Sequence, residues 1–138
     1  MAAYELDLDQ HSSAIARLTD WVGACGAAEG LADELTFKLT LALEEGVTNV
    51  LGYAFDGMPP PHRVSVRLDI TEHAVAAEIV DNGRPFDPTV AEAPDLSLSL
   101  EERDPGGLGI HLIRSLMDLV QYRRIGGTNI LRLEKARG

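Results

Sequence analysis

The sequence predicts an α+β fold: a two-layer sandwich in which helices cover one face of a mixed, mostly antiparallel sheet. Three observations carry this expectation. Several short segments alternate apolar with polar residues, the period of half-buried strands, while longer segments repeat apolar residues at spacings of three and four, the period of core-facing helices. In chain order these segments read strand, helix, helix, strand, strand, loop, helix, strand, strand, and a sheet with one apolar face must be covered.

The first strand follows from Tyr4, Leu6 and Leu8 alternating with Glu5, Asp7 and Asp9. Ser12 or Ser13 then offers an N-cap for a helix bearing Ile15, Leu18, Trp21, Val22 and Cys25, with Gly26 as its stop. From Ala32 to about Tyr53 the apolar positions Leu35, Leu39, Ala42, Gly46 and Val50 mark a helix of about six turns. The segment GMPPPH at 57–62 breaks it, because proline fixes its own φ and disfavours the helical conformation in the residue before it.

Val64, Val66, Leu68 and Ile70, then Val75, Ala77 and Ile79, predict a hairpin turning at Thr71–His73. Arg84–Pro105 is rich in proline and acid and has no sustained period, the mark of a functional loop. Gly106-Gly107-Leu108-Gly109 leads into a second core-facing helix with Ile110, Leu112, Ile113, Leu116 and Met117. A closing hairpin, Val120–Ile125 and Asn129–Glu134, turns at Gly126-Gly127.

The chain of 138 residues fits one domain, 1–138, and its 45% hydrophobic content is enough for a core. Its formal charge of -10 opposes phosphate backbones and anionic bilayers, so neither direct nucleic-acid binding nor membrane association is expected. The start MAAYELDLDQ has neither the basic nor the apolar region of a signal peptide, and cytoplasmic residence is the expectation. A single cysteine, Cys25, excludes an intrachain disulfide and a thiolate zinc cluster, and reads as a buried small side chain.

Three clusters carry chemistry. In LALEEGVTN, Glu45 and Asn49 are four residues apart on one helix face, whereas Glu44 points about 100° away. Hard oxygen ligands of this kind suit magnesium, with Asn49 as the ligand and Glu45 orienting or deprotonating a group that attacks a γ-phosphate; a solvated helix face would show the same spacing. Asp81 ends an apolar strand and shares its face with Ile79 and Ala77, where a carboxylate is costly unless hydrogen-bonded. An adenine exocyclic amine is a natural donor to it, and Gly83 would let the backbone approach a flat base, although Asp-Asn-Gly is also an ordinary turn. Pro105-Gly106-Gly107-Leu108-Gly109 presents backbone N–H groups at a helix start, where anions bind, although a glycine turn is also ordinary chain reversal. It matches neither the GK[ST] phosphate loop nor a dinucleotide fingerprint.

Taken together, Glu45-Gly-Val-Thr-Asn49, Asp81-Asn-Gly-Arg-Pro-Phe-Asp87 and Gly107-Leu-Gly109 resemble the asparagine box and the two glycine boxes of the histidine-kinase-like ATPase superfamily. The branch most resembled is the anti-sigma-factor serine kinases, and the likeness extends from the first strand to Gly127-Thr128. The resemblance implies an ATP-binding sandwich with a lid at about 84–106. It also implies magnesium-dependent phosphorylation of a serine on an anti-sigma-factor antagonist, with a sigma factor as second partner. Carried over by position, it makes Glu45 the general base, Asn49 the magnesium ligand, and Asp81 with Gly83 the adenine contacts. Gly107, Leu108 and Gly109 hold phosphate, Thr128 helps Asp81, and Arg103 in the lid reaches the terminal phosphates. The resembled kinases have Ala where this chain has Gly46. His111 beside the glycines reads as packing or capping.

The resemblance further implies a homodimer, for which the first strand and the Ile15, Leu18, Val22 stripe are the expected contacts. A non-catalytic, nucleotide-gated binding module is the alternative. An isolated histidine-kinase catalytic domain fits less well, since His11 stands before a helix of unsuitable context.

Overall fold

The computed structural model describes residues 2–8, 13–90 and 105–138. The elements are β1 (Ala2–Leu8), α1 (Ala14–Ala28), α2 (Asp33–Asn49), β2 (Val64–Ile70), β3 (Ala74–Asp81), α3 (Pro105–Leu116), β4 (Leu119–Ile125) and β5 (Thr128–Ala136). A π-helical turn, Val50–Ala54, prolongs α2, and a 3-10 turn spans Pro88–Val90. The strands form one sheet in the order β1-β2-β3-β5-β4. Every strand pairing is antiparallel, so the sheet is more regular than the mixed one expected.

Alternation along the strands gives the sheet two unlike faces. Leu8, Val64, Val66, Leu68, Ile70, Val75, Ala77, Ile79, Leu131 and Leu133 are buried beneath the helices. Against them lie Leu18 and Val22 of α1, Leu39, Leu43 and Val47 of α2, and Ile110 and Ile113 of α3. Each such side chain contributes about 1.5–3 kcal/mol on burial. Helix α2 packs between α1 and α3, so its inward face reaches the middle of the sheet.

The helix boundaries differ from expectation for local reasons. Helix α1 runs through Gly26 and ends two residues later, where Gly30 has φ +67° and the Leu31 N–H donates to the Gly26 carbonyl at 2.9 Å. This is a glycine-terminated reversal. Gly26 is instead a contact point: a Cβ there would stand 2.7 Å from Thr36 Oγ1 on α2. Helix α3 begins at Pro105, so Gly106, Gly107 and Gly109 lie within its first two turns and not in a turn ahead of it. Proline suits a first helical position because its missing N–H has no intrahelical partner there.

The closing hairpin turns as expected, with positive φ at Gly126 (57°) and Gly127 (78°). Of the expected stripe on α1, Leu18 and Val22 are 0% and 1% exposed and serve the chain's own core, while Ile15 is only half-buried. That leaves β1, an edge strand of the sheet, and Ile15 as the parts of the expected self-association surface still accessible. Cys25 is buried, and burial pushes its thiol pKa up. Among the described residues no helix is long and apolar enough to cross a membrane.

Candidate functional site

Asp81 is the last residue of β3 and faces the helices, only 4% exposed. The period of two that buries Ile79 and Ala77 forces this placement. Its Oδ1 accepts two hydrogen bonds, from the Gly83 N–H (2.8 Å) and from Asn129 Nδ2 (2.9 Å). Burial pushes the carboxyl pKa up, while the Asn129 amide, the Gly83 N–H and the positive charge of Arg124 pull the other way.

Asn129 stands opposite Asp81 in the register of β3 and β5, and is itself 3% exposed. Its Nδ2 also donates to the Arg84 carbonyl at 2.7 Å, and its Oδ1 accepts from Tyr122 Oη at 2.6 Å and from Arg124 Nη1 at 2.9 Å. Arg124 Nη1 further donates to the Gly83 carbonyl at 3.0 Å, tying β4 to the loop after Asp81.

That loop is fixed from the other side by the π-helical turn. The Arg84 N–H donates to the Ala54 carbonyl at 2.8 Å, and Arg84 Nε donates to the Tyr53 carbonyl at 3.2 Å. Asn82 has a scaffold role, accepting from the Arg63 N–H (2.7 Å) and donating to the Pro61 carbonyl (2.9 Å). Asp87 Oδ1 accepts from the Thr89 N–H at 2.9 Å and so shapes the 3-10 turn. Arg114 of α3 donates to the Thr89 carbonyl.

The second half of the site lies between α2 and α3. A Cβ built on Gly109 would be 3.1 Å from Asn49 Nδ2 and 3.3 Å from Glu45 Oε2, so the glycine comes down directly onto the two side chains. Asn49 is 7% exposed and its Nδ2 has no hydrogen-bond partner among the described residues. A buried amide with unused capacity is costly unless something else engages it. Glu44 points away, as expected, and accepts from Thr19 Oγ1 on α1 at 2.6 Å.

A narrow cleft of about 20 Å³ joins the halves, lined by Asn49, Gly46, Ile79, Leu131, Asp81 and Asn129. The structure therefore brings together Glu45, Asn49, Asp81 and Gly109. The backbone of Gly107 and Leu108 belongs to the first turns of α3, and the N–H groups of a helix start are suited to an anion. Arg103 and His11 lie outside the described residues, as does the part of the expected 84–106 lid between 91 and 104.

One expected helper of Asp81 lies on the other face of its strand. Thr128 makes no hydrogen bond to Asp81 among the described residues, although the two line one cavity. It pairs with Ile125, and with Asp7, Ser65, Val80, Asp81 and Asn82 it lines a cavity of about 440 Å³. Strand parity explains the difference, because Asn129, Leu131 and Leu133 share the covered face and Thr128 belongs to the other set. Gly83 lacks a Cβ for a packing reason: the added carbon would point at the Ala54 backbone, 2.4 Å from its carbonyl oxygen. The residue that sequence reasoning missed is Asn129, and the alternation of Leu131 and Leu133 was the signal that could have found it.

These features define the class: a sandwich whose central helix offers a carboxylate and an amide beneath a glycine-started helix, with a buried carboxylate across the cleft. The model of the histidine kinase-like ATPase domain matches residues 7–135, and the chain belongs to that family. It is 35% identical to the serine/threonine-protein kinase BtrW of Bordetella bronchiseptica over 115 residues, covering 82% of this chain and 79% of that protein. It is 29% identical to the serine-protein kinase RsbW of Listeria monocytogenes over 106 residues, covering 74% and 67%. The fold is shared with the RsbU and RsbW domains of a Mycobacterium tuberculosis protein, with a TM-score of 0.67 and 16% identity over the whole of this chain and 34% of that longer one. The family expected from the three boxes, and its serine-kinase branch, are both borne out.

Among the described residues no group of three or more His, Cys, Asp or Glu could hold a metal. A magnesium site in such a cleft would not be an all-protein cage, since that ion keeps waters and borrows phosphate oxygens. One buried amide with unused capacity beside a carboxylate fits such a site.

Proposed function

We propose that this chain is an ATP-dependent protein serine/threonine kinase that phosphorylates an anti-sigma-factor antagonist and sequesters a regulatory partner such as a sigma factor. The observation that carries the reading is the meeting of Glu45 and Asn49 with Gly109 beside a cleft that Asn49 and Asp81 both line. The kinase names of the relatives support the transfer reaction.

In this reading Asp81 accepts a hydrogen bond from the exocyclic amine of adenine, and the backbone N–H groups at the start of α3 hold the phosphates, with Arg103 reaching the terminal ones. Asn49 holds magnesium. Bound there, the ion neutralises phosphate charge, which matters in a chain of formal charge -10. Glu45, one turn before Asn49, takes the proton from the attacking serine hydroxyl, whose oxygen forms the new P–O bond as the bond to ADP breaks. The rest of the catalysis is positioning.

Self-association through the β1 edge, the two protein partners and a cytoplasmic address complete the proposal. The test is incubation with a candidate antagonist protein and γ-labelled ATP. The expected result is phosphoserine in the antagonist, abolished by Glu45→Ala. Nucleotide binding without transfer to any serine would instead establish a nucleotide-gated binding module.

A further inference from the structure

An asparagine side chain has two N–H donors and two carbonyl lone pairs. In Asn129 all four are in use: Nδ2 donates to Asp81 Oδ1 and to the Arg84 carbonyl, and Oδ1 accepts from Tyr122 and Arg124. Nothing is left over for a ligand. The orientation of the amide is also fixed, because two donors face its oxygen and two acceptors face its nitrogen.

The consequence falls on Asp81. Its Oδ1 already accepts from Asn129 and from the Gly83 N–H, while no described residue bonds Oδ2. The carboxylate is thus held with one oxygen occupied and the other without a partner among the described residues, and Asp81 lines the cleft. Arg124 reinforces this from β4, since a single nitrogen donates both to Asn129 and to the Gly83 carbonyl.

The geometry points to Asn129 and Arg124 as positioning residues that present one oxygen of Asp81 as an acceptor and thereby set a preference for 6-aminopurine over 6-oxopurine nucleotides. This rests on reading the cleft as the purine site. An amine at position 6 donates to the offered oxygen. A 6-oxo group there would face it acceptor to acceptor, and a site built around one hydrogen bond discriminates strongly against a partner that cannot make it.

The test compares binding of ADP and of IDP, each with magnesium, to the full chain by calorimetry. Wild type is expected to favour ADP by about ten-fold or more. Arg124→Met, a change at the outer end of the network, is expected to reduce that ratio at least about three-fold with its melting temperature kept, and Arg124→Lys to restore it, because one ammonium can donate to both carbonyls. Asn129→Leu is expected to bring the ratio near parity. An ADP:IDP ratio unchanged in both Arg124→Met and a folded Asn129→Leu would overturn the inference while leaving the purine site intact. A wild-type chain that binds neither nucleotide would overturn the purine reading itself.

Discussion

Gly83 lies so close beneath Ala54 that a Cβ at position 83 would stand 2.4 Å from the Ala54 carbonyl oxygen. The atom approached is backbone, and the same carbonyl accepts the Arg84 N–H at 2.8 Å, so it cannot swing aside without breaking that bond. Gly83→Ala is therefore expected to cost about 1–3 kcal/mol in urea unfolding, in the range of overpacked sites. Nucleotide affinity should fall with it, since the loop carries the N–H that holds Asp81. Gly46→Ala makes an equally short contact, 2.4 Å, but with the Cδ1 end of Ile79, which can change rotamer. It should cost less than Gly83→Ala, and the reverse order would show that the Gly83 loop is not the tightly packed one.

Asp81 sets stability against binding. Burial raises its pKa, so the folded chain holds this proton to higher pH than the unfolded chain does. Its contribution to stability is full below the unfolded pKa and is lost as pH rises through the folded one. Nucleotide binding needs the carboxylate and moves the other way, weakening as pH falls through the raised pKa. Asp81→Asn is expected to melt no lower than wild type near neutral pH, and to lose at least about ten-fold in ADP affinity with the charge-assisted hydrogen bond. A variant less stable than wild type by thermal unfolding at pH 7 would contradict the burial argument.

Most of the frame was legible because it rests on periods. The alternation of Val64–Ile70 and of Val75–Ile79, and the three-and-four spacing from Leu35 to Val50, record which face each element buries. Boundaries were less legible: Gly26 reads as a stop, yet its missing Cβ serves the approach of α1 to α2. The π-helical turn has no sequence period of its own, but it delivers the Tyr53 and Ala54 carbonyls to Arg84. At the site, Glu45, Asn49 and Asp81 were readable from side-chain chemistry. The Asn129 network was not, because its meaning comes from cross-strand register, which no local motif encodes.

Glu45 and Asn49 should separate on mutation although both face Gly109. Glu45→Ala removes a proton acceptor and leaves the amide, so ADP affinity should stay within about three-fold while phosphotransfer falls by about 10²–10⁴. Asn49→Ala removes the metal-holding group, so binding itself should weaken and should lose most of its sensitivity to chelation. Calorimetry with and without a chelator, beside a labelled-phosphate assay, checks both. Equal ADP affinity with and without magnesium in wild type would remove the role given to Asn49.

Thr128→Val offers the cleanest contrast with a role carried over by resemblance alone. If Thr128 helped Asp81 hold a base, losing its hydroxyl would cost affinity on the order of ten-fold, as for other buried hydrogen bonds to charged groups. In the structure it stands on the open face, cross-strand from the exposed Ile125, while its neighbour Asn129 bonds Asp81. Valine keeps the shape and the strand preference and removes only the hydroxyl. The expected outcome is ADP affinity within about two-fold of wild type and an unchanged melting temperature, beside a marked loss in Asn129→Leu. Because the two positions are adjacent in one strand, a general disturbance of β5 would affect both, whereas strand parity predicts that only Asn129 matters. A large loss in Thr128→Val with Asn129→Leu unaffected would mean that β5 presents its other face to the nucleotide.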